Sequence, residues 1–270
     1  KDGYHDLFMI MQSVGLYDTV TVEKTKGKKI TLSCDEEGIP LNEKNIAYKA
    51  ADAFFKAKNI KDTGIHIDIK KRIPHAAGLA GGSADGAAVI VALNQIYKTN
   101  LNNKDLCQIG VKIGADVPFC ICGGTLLAQG IGEVLNPVKP LRKCFILLAK
   151  PKTGVNTGNA FKAFDENGKI HTPDKLGMLY AMQSRDLDQI CSKMENVFEQ
   201  FIEVPERVYI KEIMRSNGAL GTCMSGSGPT VFGIFLNKED AEKSAEELKS
   251  YAKDIHICTP VSKGCKIENE

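Results

Sequence analysis

A chain of 270 residues has room for one large or two ordinary domains and can bury an ample core. Hydrophobic residues make up 43% and charged residues 25%, the mix expected of a soluble globular protein, and no apolar run is long enough to predict a membrane span. The formal net charge of +2, with no basic stripe interleaved with aromatics, counts against a nucleic-acid partner; any cation facing an anionic ligand has to be local.

Nine cysteines are scattered without a C-x-x-C pair, and no signal peptide is visible. That pattern predicts free thiols in a reducing cytoplasm rather than disulfides or a zinc site.

In chain order, the turn at Asp2-Gly3 leads into Tyr4 and His5, then an apolar run from Leu7 to Val14. Thr19–Val22 and Ile30–Cys34 read as strands separated by Lys/Gly turns. Residues 45–58 predict a helix capped by Asn45, with Ile46, Ala50, Ala53, Phe54 and Ala57 on one face. Ile65, Ile67 and Ile69 alternate with polar residues, the period of a half-buried strand.

That strand feeds Pro74-His75-Ala76-Ala77-Gly78-Leu79-Ala80-Gly81-Gly82-Ser83-Ala84-Asp85, small residues running straight into a helix marked by Ala87, Ile90 and Val91. Ser83 or Asp85 is the expected N-cap. A strand, a glycine turn and a helix N-terminus together offer unpaired N–H groups and a positive dipole end, which suit a phosphate. Lys70, Lys71 and Arg72, just ahead of the turn, are the local cations. The spacing is neither a Walker A loop nor the G-x-G-x-x-G dinucleotide fingerprint. Taken alone, it also fits a small-residue turn where a helix packs on a strand.

A helix from about Asn103 points Leu106, Ile109 and Ile113 inward and stops at Gly114. Asp116, two residues before Pro118, fits the N-cap of a new helix; beside a phosphate site it fits equally a carboxylate that orients or deprotonates an attacking hydroxyl. Gly124–Gln129 and Ile131–Leu135 predict a hairpin bent at Gly130. Cys144–Ala149 predicts a buried strand broken by Pro151.

Composition shifts near 150–155, where we place a boundary between domains 1–150 and 151–270. Polar helices are expected up to Ser216, a loop over Gly218–Gly228, and a strand over Thr230–Phe235. An amphipathic helix over Lys238–Ala252 and a terminal strand over Ile255–Val261 complete an α+β half with helices on one sheet face. The glycine run Gly221–Thr230 is a loop entering a strand. Placed across a cleft from the first glycine turn, it could close over phosphates.

Four stretches keep one order: Asp2-Gly3-Tyr4-His5, the Pro74–Ala88 loop, Gly114-Ala115-Asp116-Val117-Pro118-Phe119, and Met224-Ser225-Gly226-Ser227-Gly228-Pro229-Thr230. Together they resemble the GHMP kinases, the family of galactokinase and of homoserine, mevalonate and phosphomevalonate kinases. The resemblance implies a two-domain α+β fold with its active site in the cleft between domains, and ATP with Mg²⁺ as cofactors. Within the family it points to members that phosphorylate the C2 hydroxyl of a cytidine diphosphate-linked methylerythritol, in non-mevalonate isoprenoid synthesis. The alternatives are a mevalonate-pathway or homoserine kinase, or a catalytically impaired nucleotide-binding protein of the same fold.

By that likeness Asp116, at the substrate, is the general base or the orienter of the attacking hydroxyl. Pro74, Ala76, Ala77, Gly78, Leu79, Ala80, Gly81, Gly82, Ser83 and Ala84 hold the ATP phosphates, with Asn45 and Lys71 near the adenosine. Tyr4 and His5 flank the cytosine, with Phe161 on its other face and Thr157 nearby, while Gly226, Ser227 and Gly228 close the substrate side. No dedicated metal ligands are legible, so Mg²⁺ would be held by phosphates and water. The partner is then a small-molecule substrate, with no nucleic acid and no membrane. The family pattern also has a lysine in a Pro/Tyr-Ala-Lys-Ile-Asn strand upstream of Asp2, which Lys1 does not match. A chain without that segment is expected to have little kinase activity.

Overall fold

The structure, a computed structural model, describes residues 5–167 and 170–268. Tyr4, expected at the substrate, lies outside the described residues. In chain order the elements are β1 (Leu7–Gln12), β2 (Thr19–Lys24), β3 (Ile30–Cys34), α1 (Ile46–Lys58), β4 (Ile65–Lys70), α2 (Gly81–Ile96), α3 (Asn103–Gly110), α4 (Val117–Cys122), β5 (Thr125–Gly130) and β6 (Val134–Pro137). There follow β7 (Phe145–Pro151), α5 (Thr157–Glu166), α6 (Lys175–Ser184), α7 (Leu187–Ser192), α8 (Pro205–Ser216), β8 (Gly221–Met224), β9 (Val231–Phe235), α9 (Lys238–Glu247) and β10 (Ala252–Cys258).

The first half packs helices on a small sheet ordered β2-β4-β3. Ile65, Ile67 and Ile69 of β4 are fully buried, as their alternation requires, and α1 covers them with Ala47, Ala50, Ala51, Phe54 and Phe55. Asn45 starts α1 as the sequence predicts, its side-chain oxygen accepting from the Ala47 N–H at 2.8 Å. Gly86 lets α2 lie against α1, since a Cβ there would meet the Ile46 side chain at 2.7 Å. A second sheet, β1-β5-β6, is antiparallel throughout.

The second half is built on β10-β7-β9-β8, also antiparallel. Ile146 and Leu148 of β7 pack with residues of α6 and α7, while Leu147 and Ala149 pack with α8 and α9. Helices therefore cover both faces of this sheet, not one as expected. Every β7 position from 146 to 149 is apolar because both faces are buried.

Other boundaries also differ from the sequence reading. β7 pairs with strands of the C-terminal sheet, so sheet membership changes before residue 145, ahead of the 150–155 boundary drawn from composition. The hairpin turn extends to Glu133, whose carboxylate accepts from the Ile131 N–H at 2.7 Å, so its second strand begins at Val134. Residues 221–224, read as loop, form β8, because pairing with β9 outweighs their glycine and polar content. The last helix ends at Glu247, and Ala252, expected in it, opens β10.

The two halves are joined by backbone. Gly15 donates to the Thr259 carbonyl at 3.0 Å, and Val261 to the Ser13 carbonyl at 2.9 Å. Phe54 is completely buried in the first core. Phe54→Ala should lower the unfolding free energy by about 3–5 kcal/mol, read from urea denaturation at constant m.

Candidate active site

Between β4 and α2 the chain makes a loop with alternating left-handed residues: Ala76 (φ 49°), Gly78 (φ 71°) and Ala80 (φ 54°). An alternation of this kind turns successive N–H groups toward one side and forms an anion-binding concavity. Only glycine adopts such angles without strain; each alanine costs roughly 1–2 kcal/mol. Ala80 is the N-cap of α2, and no side chain caps that helix. The expectation that Ser83 or Asp85 would cap it is thus overturned, as both lie within the helix and are buried. The N–H groups of the first turn and the positive dipole end are left without a side-chain partner.

The second glycine run lies directly on this loop, as the sequence suggested it could. Ser225 Oγ donates to the Gly78 carbonyl at 2.8 Å, and Thr230 N–H to the Ala77 carbonyl at 3.3 Å. A Cβ on Gly78 would sit 2.5 Å from the Ser225 carbonyl oxygen and 2.8 Å from that of Gly228. Gly226 and Gly228 are themselves left-handed (φ 55° and 91°). Two residues that sequence reasoning missed hold this run: Asn196 Nδ2 donates to the carbonyls of Met224 (2.8 Å) and Gly226 (2.7 Å), and Glu199 accepts from the Met224 N–H at 2.6 Å. Nothing in their local sequence marks them, since their partners lie about thirty residues on.

Lys71 is held by two carboxylates. Its ammonium is enclosed by Asp18 (2.5 Å) and Asp85 (2.9 Å), and its side chain is only 5% exposed. Asp18 also accepts from the N–H groups of Arg72 (2.6 Å) and Ile73 (2.8 Å), so the cluster ties the end of β4 to the first turns of α2. Burial works against the Lys71 charge, yet Asp85 and Asp18 hold its pKa above the ordinary lysine value. Two carboxylates share that one cation, and burial pushes Asp85 up to about 7. Asn45 is likewise engaged, capping α1 and donating through Nδ2 to the Pro40 carbonyl at 2.8 Å.

Asp116 precedes α4 at the N-cap position, yet its side chain caps nothing. Among the described residues no hydrogen bond or ion pair engages its carboxylate. Its segment lies against the start of α2: a Cβ on Gly114 would stand 3.9 Å from Ser83 Oγ. Burial raises the Asp116 pKa above its ordinary value.

On the far side of the glycine run, Thr157 Oγ1 and Ser227 Oγ are 2.9 Å apart, and Phe161 follows one turn later on α5. The His5 ring stacks directly on Phe161, centroids 4.8 Å apart at 25°, and bonds Asp165 at 2.7 Å. Two rings that flank a base need about 3.5 Å on each side of it, so this pair touches instead of enclosing a gap. Among the described residues no group of three or more His, Cys, Asp or Glu is placed to hold a metal ion.

Residues 45–124 match the GHMP kinases N terminal domain, and residues 178–254 the GHMP kinases C terminal domain. The chain is 44% identical over 266 residues to 4-diphosphocytidyl-2-C-methyl-D-erythritol kinase of Clostridium perfringens, covering 97% of this chain and 92% of the relative. The chain belongs to the GHMP kinase family. The kinase of the same description from Caldicellulosiruptor saccharolyticus is 43% identical, over 96% of this GHMP kinase and 89% of the relative. A crystal structure of 4-(cytidine 5'-diphospho)-2C-methyl-D-erythritol kinase superposes with a TM-score of 0.78 at 29% identity, covering 96% of this chain and 92% of the other. Homoserine kinase from Cytophaga hutchinsonii superposes at 0.82 over 94% and 90% of the two chains, but at 21% identity that likeness shows the fold alone.

Two measurements test the site's construction. Gly78→Ala should destabilise the protein by at least about 1–2 kcal/mol, read by thermal or urea unfolding, because strain at φ 71° adds to contact with two carbonyls. The pKa of Asp85 is raised on folding, so the folded state binds the extra proton between about pH 4 and pH 7. Its contribution to stability is therefore full at low pH and is lost as pH rises through about 7. Asp85→Asn should flatten the fall in stability across that window, measured by urea unfolding at stepped pH.

Proposed function

We propose that this chain phosphorylates 4-diphosphocytidyl-2-C-methyl-D-erythritol on its C2 hydroxyl, using ATP. The observation that carries the chemistry is the unengaged Asp116 carboxylate beside the uncapped start of α2 and its left-handed loop. The substrate follows from relatives of that description at 43–44% identity over nearly the whole chain, while the mevalonate and homoserine kinases superpose at 16–21% identity.

Phosphoryl transfer asks a protein mainly for alignment and charge stabilisation. Backbone N–H groups of residues 76–83 grip the phosphates, and the α2 dipole offsets their charge. Asp116, raised by burial, accepts the proton of the attacking hydroxyl. Phe161, Thr157 and Ser227 face the cytidyl end, with His5 moving off Phe161 as the base stacks there. No carboxylate cluster among the described residues is placed to hold Mg²⁺, so the ion would be carried by the ATP phosphates and water and would supply charge neutralisation there. The nine free thiols fit a reducing compartment, the cytoplasm. Among the described residues no helix is long and apolar enough to cross a membrane.

A coupled ADP-release assay on the protein together with any residues that precede Lys1 should show turnover with the cytidyl substrate and none with mevalonate or homoserine; the reverse specificity would reassign the substrate. Asp116→Asn should reduce kcat by about 10²–10⁴ while ATP affinity stays within a few-fold. Since Asp116 must be unprotonated, kcat/KM should fall as pH drops, with a midpoint above the usual carboxylate value of about 3.9.

A further inference from the structure

Away from the cleft, two thiols meet at the opposite end of the helix that Asp116 precedes. Cys107 of α3 and Cys122, the last residue of α4, place their Sγ atoms 3.5 Å apart. Cys107 Sγ also lies 3.7 Å from the Pro118 carbonyl oxygen. Both residues are half-buried. Cys122 lines a groove of about 660 Å³ between the end of α2 and residues 263–265, with Lys98 and Lys263 on its walls. A small reagent can thus reach Cys122.

We propose that Cys107 and Cys122 form a modification site that is converted by hydroperoxides to a reversible disulfide. The Cys122 thiolate attacks one peroxide oxygen; the S–O bond forms, the O–O bond breaks, and the other oxygen leaves with a proton as water or alcohol. Cys107 sulfur then attacks the Cys122 sulfenic acid. The S–S bond forms, the S–O bond breaks, and hydroxide leaves with the Cys107 proton as water. Two thiols and one hydroperoxide give one disulfide, one water, and a second water or alcohol. The two sulfurs together lose two electrons, which the peroxide gains.

Geometry selects this pair. Closing 3.5 Å to a bond of about 2.05 Å takes an approach of roughly 1.5 Å, across a short helix that ends at left-handed Gly123. Elsewhere the thiols are less suited: Cys265 bonds the Cys120 carbonyl, not its sulfur. Burial pushes Cys144, Cys258 and Cys265 up to about 11, and Cys191 and Cys223 to about 12. The hydrogen bond between the two sulfurs holds Cys122 down at about 7 against burial. Of the two, Cys122 is the one that lines the groove, so a reagent entering there meets its sulfur first.

The test treats the folded full-length chain with equimolar hydrogen peroxide at pH 7, alkylates the remaining thiols and maps peptides by mass spectrometry. A Cys107–Cys122 linked peptide should dominate and vanish on reduction with dithiothreitol. Cys122→Ser and Cys122→Ala, each checked for an unchanged melting transition, should slow peroxide consumption about tenfold or more and abolish the link. Cys107→Ser should leave a sulfenic acid on Cys122 that dimedone traps. Dominant linkage of any other pair would overturn the proposal, as would alkylation of both Cys107 and Cys122 after the peroxide is consumed.

Discussion

Backbone contact at Gly78 sets the geometry on which the rest of the cleft depends. Two carbonyls from the second glycine run stand where a side chain would begin, and Ser225 closes the contact with a hydrogen bond. Neither loop could hold its left-handed turns unaided, because such angles cost free energy that only surrounding contacts can offset. Pressed together, each supplies the other's constraint, and the anion-binding concavity is formed before any ligand arrives. Preorganisation of this kind spares the protein reordering at the moment of binding.

The charged cluster beneath the loop serves the same end by different means. Lys71 between Asp18 and Asp85 joins the end of one strand to the opening of α2, and Asp18 also gathers two backbone N–H groups. A buried arrangement of three charges is weak evidence for stability, since desolvation opposes the attraction. Its evident effect is positional: the helix start, which no side chain caps, is tied to the sheet. The cost shows in Asp85, pushed up to about 7 and left with one buried oxygen unpartnered. On the neighbouring helix start, the Asp116 carboxylate makes no such bond among the described residues.

Local elements were largely legible. The isoleucine alternation of β4, the Asn45 cap and the glycine turn before α2 each depend on neighbours within a few residues, and each stands where the sequence reading put it. Errors gathered where distant partners decide. β8 exists because β9 lies beside it, and the helix cover on both faces of the second sheet depends on α6 to α9 folding back from different directions. Asn196 and Glu199 fix the second glycine run from about thirty residues away, and no motif announces them.

Sequence by itself determined the chemistry on offer: glycines where the backbone must come close, a carboxylate before Pro118, and apolar periodicity that sets strand and helix. These are properties of short stretches, governed by steric limits on φ and by the burial of alternating side chains. Tertiary structure alone decided which groups remain available. Lys71 is neutralised by carboxylates 53 and 14 residues distant, and His5 lies on the ring of Phe161, whereas among the described residues the Asp116 carboxylate is left unengaged. The physical reason is that a charge or a ring face becomes occupied only through contacts made across the fold, which no local pattern encodes.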